Sequence, residues 1–311
     1  MSKKIQNNLH YFEISKNNPE PHLDKDYFLL EKHPKLSLYL KNIKEIKELL
    51  ITIKKLKNNR ENRKVVEKYY FKLFNVFNEK FSNCSELGCF VNACDTTRDL
   101  AQKDFKTFKI ITDFYLTKRD VDDKVPASWV QAILDSNSSR RKGDLGERKL
   151  VNILNKFGFQ EVFTWDDFKK YNKVIASFSN KAFDSLKKIR ENLGIRIATK
   201  KQDKKLDLLI KCFDAIFLLE AKHSNVGGGE QNKQVSELIE ILSLQEDKQN
   251  VFYIAFLDGT HSNIVLGDVT ERAVRIKQQQ KEILQYLKQN LKSIWLNTAG
   301  FKALFSDLTK Q

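Results

Sequence analysis

Between residues 36 and 56 the apolar side chains Leu40, Ile43, Ile46, Leu49, Leu50, Ile53 and Leu56 recur at short, mostly three- and four-residue spacings. That period matches an α-helical turn, so the segment reads as an amphipathic helix. A second stripe runs through Val66, Tyr69, Tyr70, Leu73, Phe74, Phe77 and Phe81, and a third through Ala101, Phe105, Phe108, Ile111 and Tyr115. Rings at helical spacing are expected in a core rather than on a base-stacking surface. Residues 1–135 therefore read as a helical N-terminal region.

The pattern changes after the polar, turn-rich stretch 135–143, which is a natural domain boundary. A helix is expected from about 144 to 157, stopped by Gly158, and a mostly helical stretch then runs to residue 192. Residues 206–210 and 215–221 read as strands. A helix over 231–244 carries Val235, Leu238, Ile239 and Leu242, and the apolar run 251–257 reads as a strand buried on both faces. A long helical pattern over 270–295 closes the chain. Strand, strand, helix, strand, helix predicts an α/β domain over 136–311, a mixed sheet flanked by helices.

Strand side chains alternate between faces, so Glu220 and Lys222 share the face of Ile216 and Leu218, at the end of an apolar strand. If Phe213 and Asp214 form a two-residue turn, Asp207 on the preceding strand lies directly opposite Glu220, with Cβ atoms ~5 Å apart. Two carboxylates that close raise each other's pKa unless a cation lies between them. A hard divalent ion such as magnesium takes oxygen ligands of this kind and fills its remaining positions with water and phosphate oxygens. A lysine alongside helps orient and deprotonate an attacking water, while the metal offsets charge building on phosphorus. The alternative is a surface hairpin whose charges are solvated or paired, and a one-residue slip in register would separate the two faces. His223, one residue beyond Lys222, should point to the opposite face. Glu147 falls on the apolar stripe of its predicted helix with Val151 and Leu154. It reads either as a fourth member of the site or as a first-turn glutamate favoured by the helix dipole.

Asp207 followed by Glu220-Ala-Lys222 resembles the PD-(D/E)-x-K signature of the restriction-endonuclease-like superfamily, although Leu206 stands where the motif has Pro. Gly143-Asp-Leu-Gly-Glu147 with its Leu-rich helix resembles the N-terminal helix of the same core, whose glutamate often assists metal binding. His223-Ser-Asn-Val-Gly-Gly-Gly-Glu-Gln-Asn-Lys-Gln234 is similar to the corresponding region of type II restriction enzymes related to the DpnII and MboI group. The resemblance covers roughly residues 140–260. It implies a restriction-endonuclease-like α/β fold, with Asp207, Glu220, Lys222 and Glu147 catalytic and Asp207, Glu220 and Glu147 holding Mg2+. Contacts to double-stranded DNA are then expected from Arg140, Arg141, Lys142, His223, Asn225, Gly228, Gln231, Asn232, Lys233 and Gln234. Physically, a glycine-rich turn lets backbone approach a phosphate, and the start of the next helix presents free N–H groups to an anion. The plain alternative for the same segment is a flexible loop with a solvated helix start.

Composition adds two points. A net charge of +15 over 311 residues points to a polyanionic partner, though lysine spread over nearly every segment equally reflects a lysine-heavy composition. Cys84, Cys89 and Cys94 are spaced by five, and the usual Cys-x2-Cys pairing of a zinc site is absent, so packed or idle thiols are expected. No apolar run approaches the ~18 residues of a membrane span. The first eight residues are charged without a hydrophobic segment behind them, unlike a secretory signal, so cytoplasm is the expected location.

Three functional readings follow. The leading one is a type II restriction endonuclease acting as a homodimer on a palindromic site and paired functionally with a cognate DNA methyltransferase. The second keeps the chemistry in a repair or junction-resolving nuclease. The third is a basic DNA-binding protein without catalysis, in which Asp207, Glu220 and Lys222 are dispensable. Nucleotide hydrolysis is disfavoured, because no Gly-x4-Gly-Lys-Ser/Thr loop is present.

Overall fold

The computed structural model describes residues 6–79, 81–94, 96–197, 206–225, 229–267 and 274–310. They form two compact units: residues 29–139, and residues 1–28 together with 140–311.

The chain opens with helix α1 (Asn8–Asn17), which belongs to the second of these units. The helical unit follows: α2 (Leu36–Asn58), α3 (Arg63–Phe77), α4 (Glu86–Val91), α5 (Arg98–Lys103), α6 (Phe105–Lys118) and α7 (Ala127–Ser136). The expected apolar stripes meet in its core, where Ile46, Leu50, Ile53, Tyr70, Leu73, Phe77, Phe108, Ile111 and Tyr115 pack together. Lys47 is buried here, held by Glu86 and Asp122. Cys84 packs with Ile43, Val130 and Leu134.

The α/β unit continues with α8 (Ser139–Asn155), β1 (Gln160–Glu161), α9 (Trp165–Lys170), β2 (Lys173–Ser177), α10 (Leu186–Leu193), β3 (Leu208–Cys212), β4 (Ala215–His223), α11 (Gly229–Leu242), β5 (Val251–Asp258), α12 (Thr260–Leu266), α13 (Val274–Gln289), β6 (Ser293–Leu296) and α14 (Thr298–Thr309). The six strands lie in sequence order, with β2–β3 and β3–β4 antiparallel and the remaining pairs parallel. This is a mixed sheet, and helices cover both faces. Leu208, Ile210, Phe217, Leu219, Ile254 and Phe256 meet Tyr11 of α1, Leu150 and Leu154 of α8, and Phe301 and Phe305 of α14. Leu209, Leu218 and Tyr253 point the other way, toward α9, α10 and α11. Ala255, Leu257 and Trp295 pack against α11, α12 and α13.

Several boundaries differ from the sequence expectations. The stretch read as a connector is helical from Ser139 onward, because α8 begins there and runs on into later turns that are strongly apolar and buried. The region read as mostly helical before residue 192 contains β2, whose Val174, Ile175 and Ala176 are buried against both layers. The long terminal helix is instead α13, a turn at residues 290–292 and buried strand β6, followed by α14. The first 28 residues are not part of the helical region. Asn8 donates from Nδ2 to the carbonyls of Leu287, Asn290 and Ser293, and Asn297 donates to those of Ser15 and Asn18, tying α1 to β6 and α14. Among the described residues no helix is long and apolar enough to cross a membrane.

Candidate functional site

The β3–β4 hairpin sets the site. Cys212 pairs with Ala215, so Phe213 and Asp214 form a two-residue turn, with Phe213 at φ 54° as a tight hairpin turn requires. From that turn the register runs Ile210–Phe217 and Leu208–Leu219. Asp207 lies just beyond the last of these pairs, where the Glu220 carboxylate acts on its carboxyl. Three backbone contacts hold Asp207 there. Its N–H donates to the Leu219 carbonyl (2.9 Å), its carbonyl accepts from Phe178 N–H (3.1 Å), and its Oδ2 accepts from Ala221 N–H (2.7 Å).

Asp207, Glu220 and Lys222 share the face of Leu209 and Leu218, toward α11. Glu220 is 2% exposed, although it carries a carboxylate. Lys222 Nζ lies 2.6 Å from Glu220 Oε1 and 3.8 Å from Glu237 Oε2 on α11. Burial and the neighbouring Glu220 carboxylate push the Asp207 carboxyl up to about 7, with Glu147 adding to the effect and the Ala221 N–H and Lys222 opposing it. Burial works against the Lys222 charge as well, but Glu220, Asp207 and Glu237 outweigh it and hold the ammonium above the ordinary lysine range.

Glu147 is half-buried at the middle of α8 and reaches Asp207 through its charge. Among the described residues no group of three or more His, Cys, Asp and Glu side chains is gathered as a metal cage. The carboxylates of Glu220 and Glu147 both act on Asp207, Glu220 more strongly. Two desolvated, facing carboxylates still suit a hard divalent cation, which would relieve the repulsion that lifts Asp207.

The opposite face carries a second charged cluster. His223 Nδ1 lies 2.8 Å from Asp258 Oδ1, and its ring stacks on Tyr27 at 3.6 Å. Asp258, completely buried, accepts from the Tyr27 hydroxyl (2.7 Å) and from Lys149 Nζ (2.8 Å). Lys149 also donates to Asp24 and to the Thr298 hydroxyl. Burial alone would raise Asp258, but His223 and Lys149 overcome it and hold the carboxyl below its usual range. Gly146 on α8 makes room for Tyr27, since a Cβ there would stand 2.9 Å from the hydroxyl.

The expected DNA contacts divide accordingly. His223 does point away from Lys222, and its ring nitrogens are engaged by Asp258 and by Asn225 (3.3 Å). Asn225 ties the end of β4 to the start of α12, accepting from Thr260 N–H and from the Thr260 hydroxyl. Both are thus bound within the chain. Arg141 and Lys142 are half-buried on α8 rather than displayed on a loop, and the Arg140 side chain lies outside the described residues, as does Gly228. Gln231, Asn232, Lys233 and Gln234 occupy the first turns of α11, where Lys233 is exposed and the others half-buried. The members sequence reasoning missed are Glu237, Tyr27, Lys149 and Asp258. Glu237 sits on the helix after the Glu-x-Lys strand, a position that a lysine needing a second carboxylate would single out.

Comparison of the chain with protein-family models, with curated proteins and with solved structures finds no match in any of the three.

Proposed function

We propose that this chain is a Mg2+-dependent endonuclease with a restriction-endonuclease-like core, hydrolysing phosphodiester bonds of double-stranded DNA at a short specific sequence. The observation that carries this reading is the convergence of Asp207, Glu220 and Lys222 on one face of the hairpin, with Asp207 fixed from three sides by backbone.

Asp207 and Glu220 would hold the cation. A divalent cation held there would supply charge stabilisation on the phosphate and would acidify a water for attack. Lys222, kept as an ammonium by Glu220 and Glu237, orients the attacking water and adds positive charge beside the phosphate oxygens. Glu147 acts from α8 through its charge. The polar first turns of α11, with Gln231, Asn232, Lys233 and Gln234, would face the DNA. A homodimer matching a two-fold symmetric site, and a methyltransferase protecting the same site, belong to this reading.

Digestion of long unmethylated DNA with magnesium and with EDTA tests it. Discrete fragments that require magnesium are expected. A featureless smear, or cutting confined to branched substrates, would replace the sequence-specific reading with a repair or junction-resolving nuclease.

A further inference from the structure

The helical unit carries its net charge in one place. Residues 54–72 hold eight Lys and Arg against two Glu, whereas the other 92 residues of this unit hold thirteen of each sign. A lysine-heavy composition alone would spread the excess. Here it is confined to the end of α2, the start of α3 and the tip between them.

The local structure argues against a purely structural role for these cations. Lys55, Lys57, Arg60, Arg63, Lys64, Lys68 and Lys72 are exposed. Lys57 is paired with Asp113, and Lys72 lies over the Tyr69 ring. Of the two acids, Glu67 is already paired with Lys109. Arg60, Arg63, Lys64 and Lys68 have no acidic partner among the described residues. Arg63 and Lys64 stand in the first turn of α3, which contains no acidic residue, at the end of a helix where positive charge is unfavourable. Arg60 occupies the left-handed position that closes α2, at φ 56°, with Glu61 N–H reaching back to the Leu56 carbonyl. Glycine is the residue that takes this position without strain. An arginine kept there, at the tip and in the open, is placed for something outside the chain.

We infer that the α2–α3 tip is a phosphate-binding surface for double-stranded DNA, with Arg60, Arg63, Lys64 and Lys68 contacting backbone phosphates irrespective of sequence. The choice of DNA as the polyanion rests on the nuclease reading of the α/β unit. Duplex is favoured over single strand because the hairpin's rings are already engaged. Tyr70 is buried, Tyr69 lies under Lys72, and Phe71, though half exposed, has one face stacked on Phe105 at 3.8 Å, so the hairpin lacks the row of open rings on which successive unstacked bases would lie.

The experiment measures duplex binding by the full chain carrying Glu220→Gln, so that nothing is cut, over a range of salt concentrations. The triple variant Arg60→Gly/Arg63→Gln/Lys64→Gln is compared with it. Each phosphate contact contributes about 0.9 to the salt slope, so the triple variant should lower the slope by about 3 and weaken binding equally on unrelated sequences. Arg60→Gly alone should weaken binding while leaving thermal stability unchanged or higher, a combination that a structural role would not produce. An unchanged slope overturns the inference, as does loss of binding to anionic lipid vesicles or single strands with duplex binding intact. Since the readout is binding, a weakened slope in the triple variant, together with no cleavage by the parent chain, would leave this surface standing and remove the nuclease reading.

Discussion

Lys222 Nζ lies 2.6 Å from Oε1 of Glu220, two residues earlier on the same strand, and that pair faces the desolvated carboxyl of Asp207. Glu220 is thus a buried glutamate with the ammonium of its own strand neighbour beside it. Glu220 opposes ionisation of Asp207, and the Lys222 ammonium only partly offsets that repulsion.

Asp207 gives a pH dependence with a definite sign. Its folded-state value, about 7, lies above the ordinary 3.8, so between these values the folded chain keeps a proton that the unfolded chain has released. Stability should therefore fall as pH rises from about 4 to 7. Asp207→Asn removes the titration and the repulsion, and it should flatten this decline and be at least as stable as the parent at pH 8. Denaturant melts of both proteins across this range check it.

The same repulsion predicts a magnesium effect on stability. Millimolar Mg2+ should raise the melting temperature at pH 8, do little at pH 5 where Asp207 is protonated, and have no effect in Asp207→Asn. Thermal melts with and without the ion test this without any cleavage assay, and an equal shift in the variant would place the ion elsewhere.

Lys149 is the hub of the second cluster. Lys149→Met leaves Asp258 buried and short of a cation, which should cost about 3–5 kcal/mol. Tyr27→Phe removes one donor to the same carboxylate and should cost about 1–3 kcal/mol. Urea denaturation distinguishes the two, and comparable small losses would mean that the cluster is solvated.

The placement of α1 makes a fragment prediction. Tyr11 and Phe12 are buried in the α/β unit, and fully burying an aliphatic or phenylalanine side chain is worth roughly 1.5–3 kcal/mol. A fragment of residues 136–311 should therefore be poorly folded by circular dichroism and hydrogen exchange.

That boundary marks where the sequence stopped being legible. The hairpin could be read because alternation along β4 and a two-residue turn fix register, and the same alternation placed His223 opposite Lys222. The docking of α1 could not. It depends on Asn8 and Asn297 meeting backbone carbonyls nearly 300 residues away, and asparagine carries no such signal in a single sequence. Strand β6 was hidden because its four buried residues follow a helix after only a three-residue turn and extend its apolar pattern. Glu237 was overlooked because helical spacing marks it only as a polar neighbour of Leu238. Its relation to Lys222 arises from the packing of α11 on the sheet.

The most direct test of the central claim is cleavage of plasmid DNA by the purified chain at pH 8 with magnesium, beside Glu220→Ala and Lys222→Ala. The account predicts magnesium-dependent cutting that falls on the order of 10²-fold or more in each variant, with DNA binding retained. Undiminished cutting by both variants, or binding without any cutting by the parent, would contradict it.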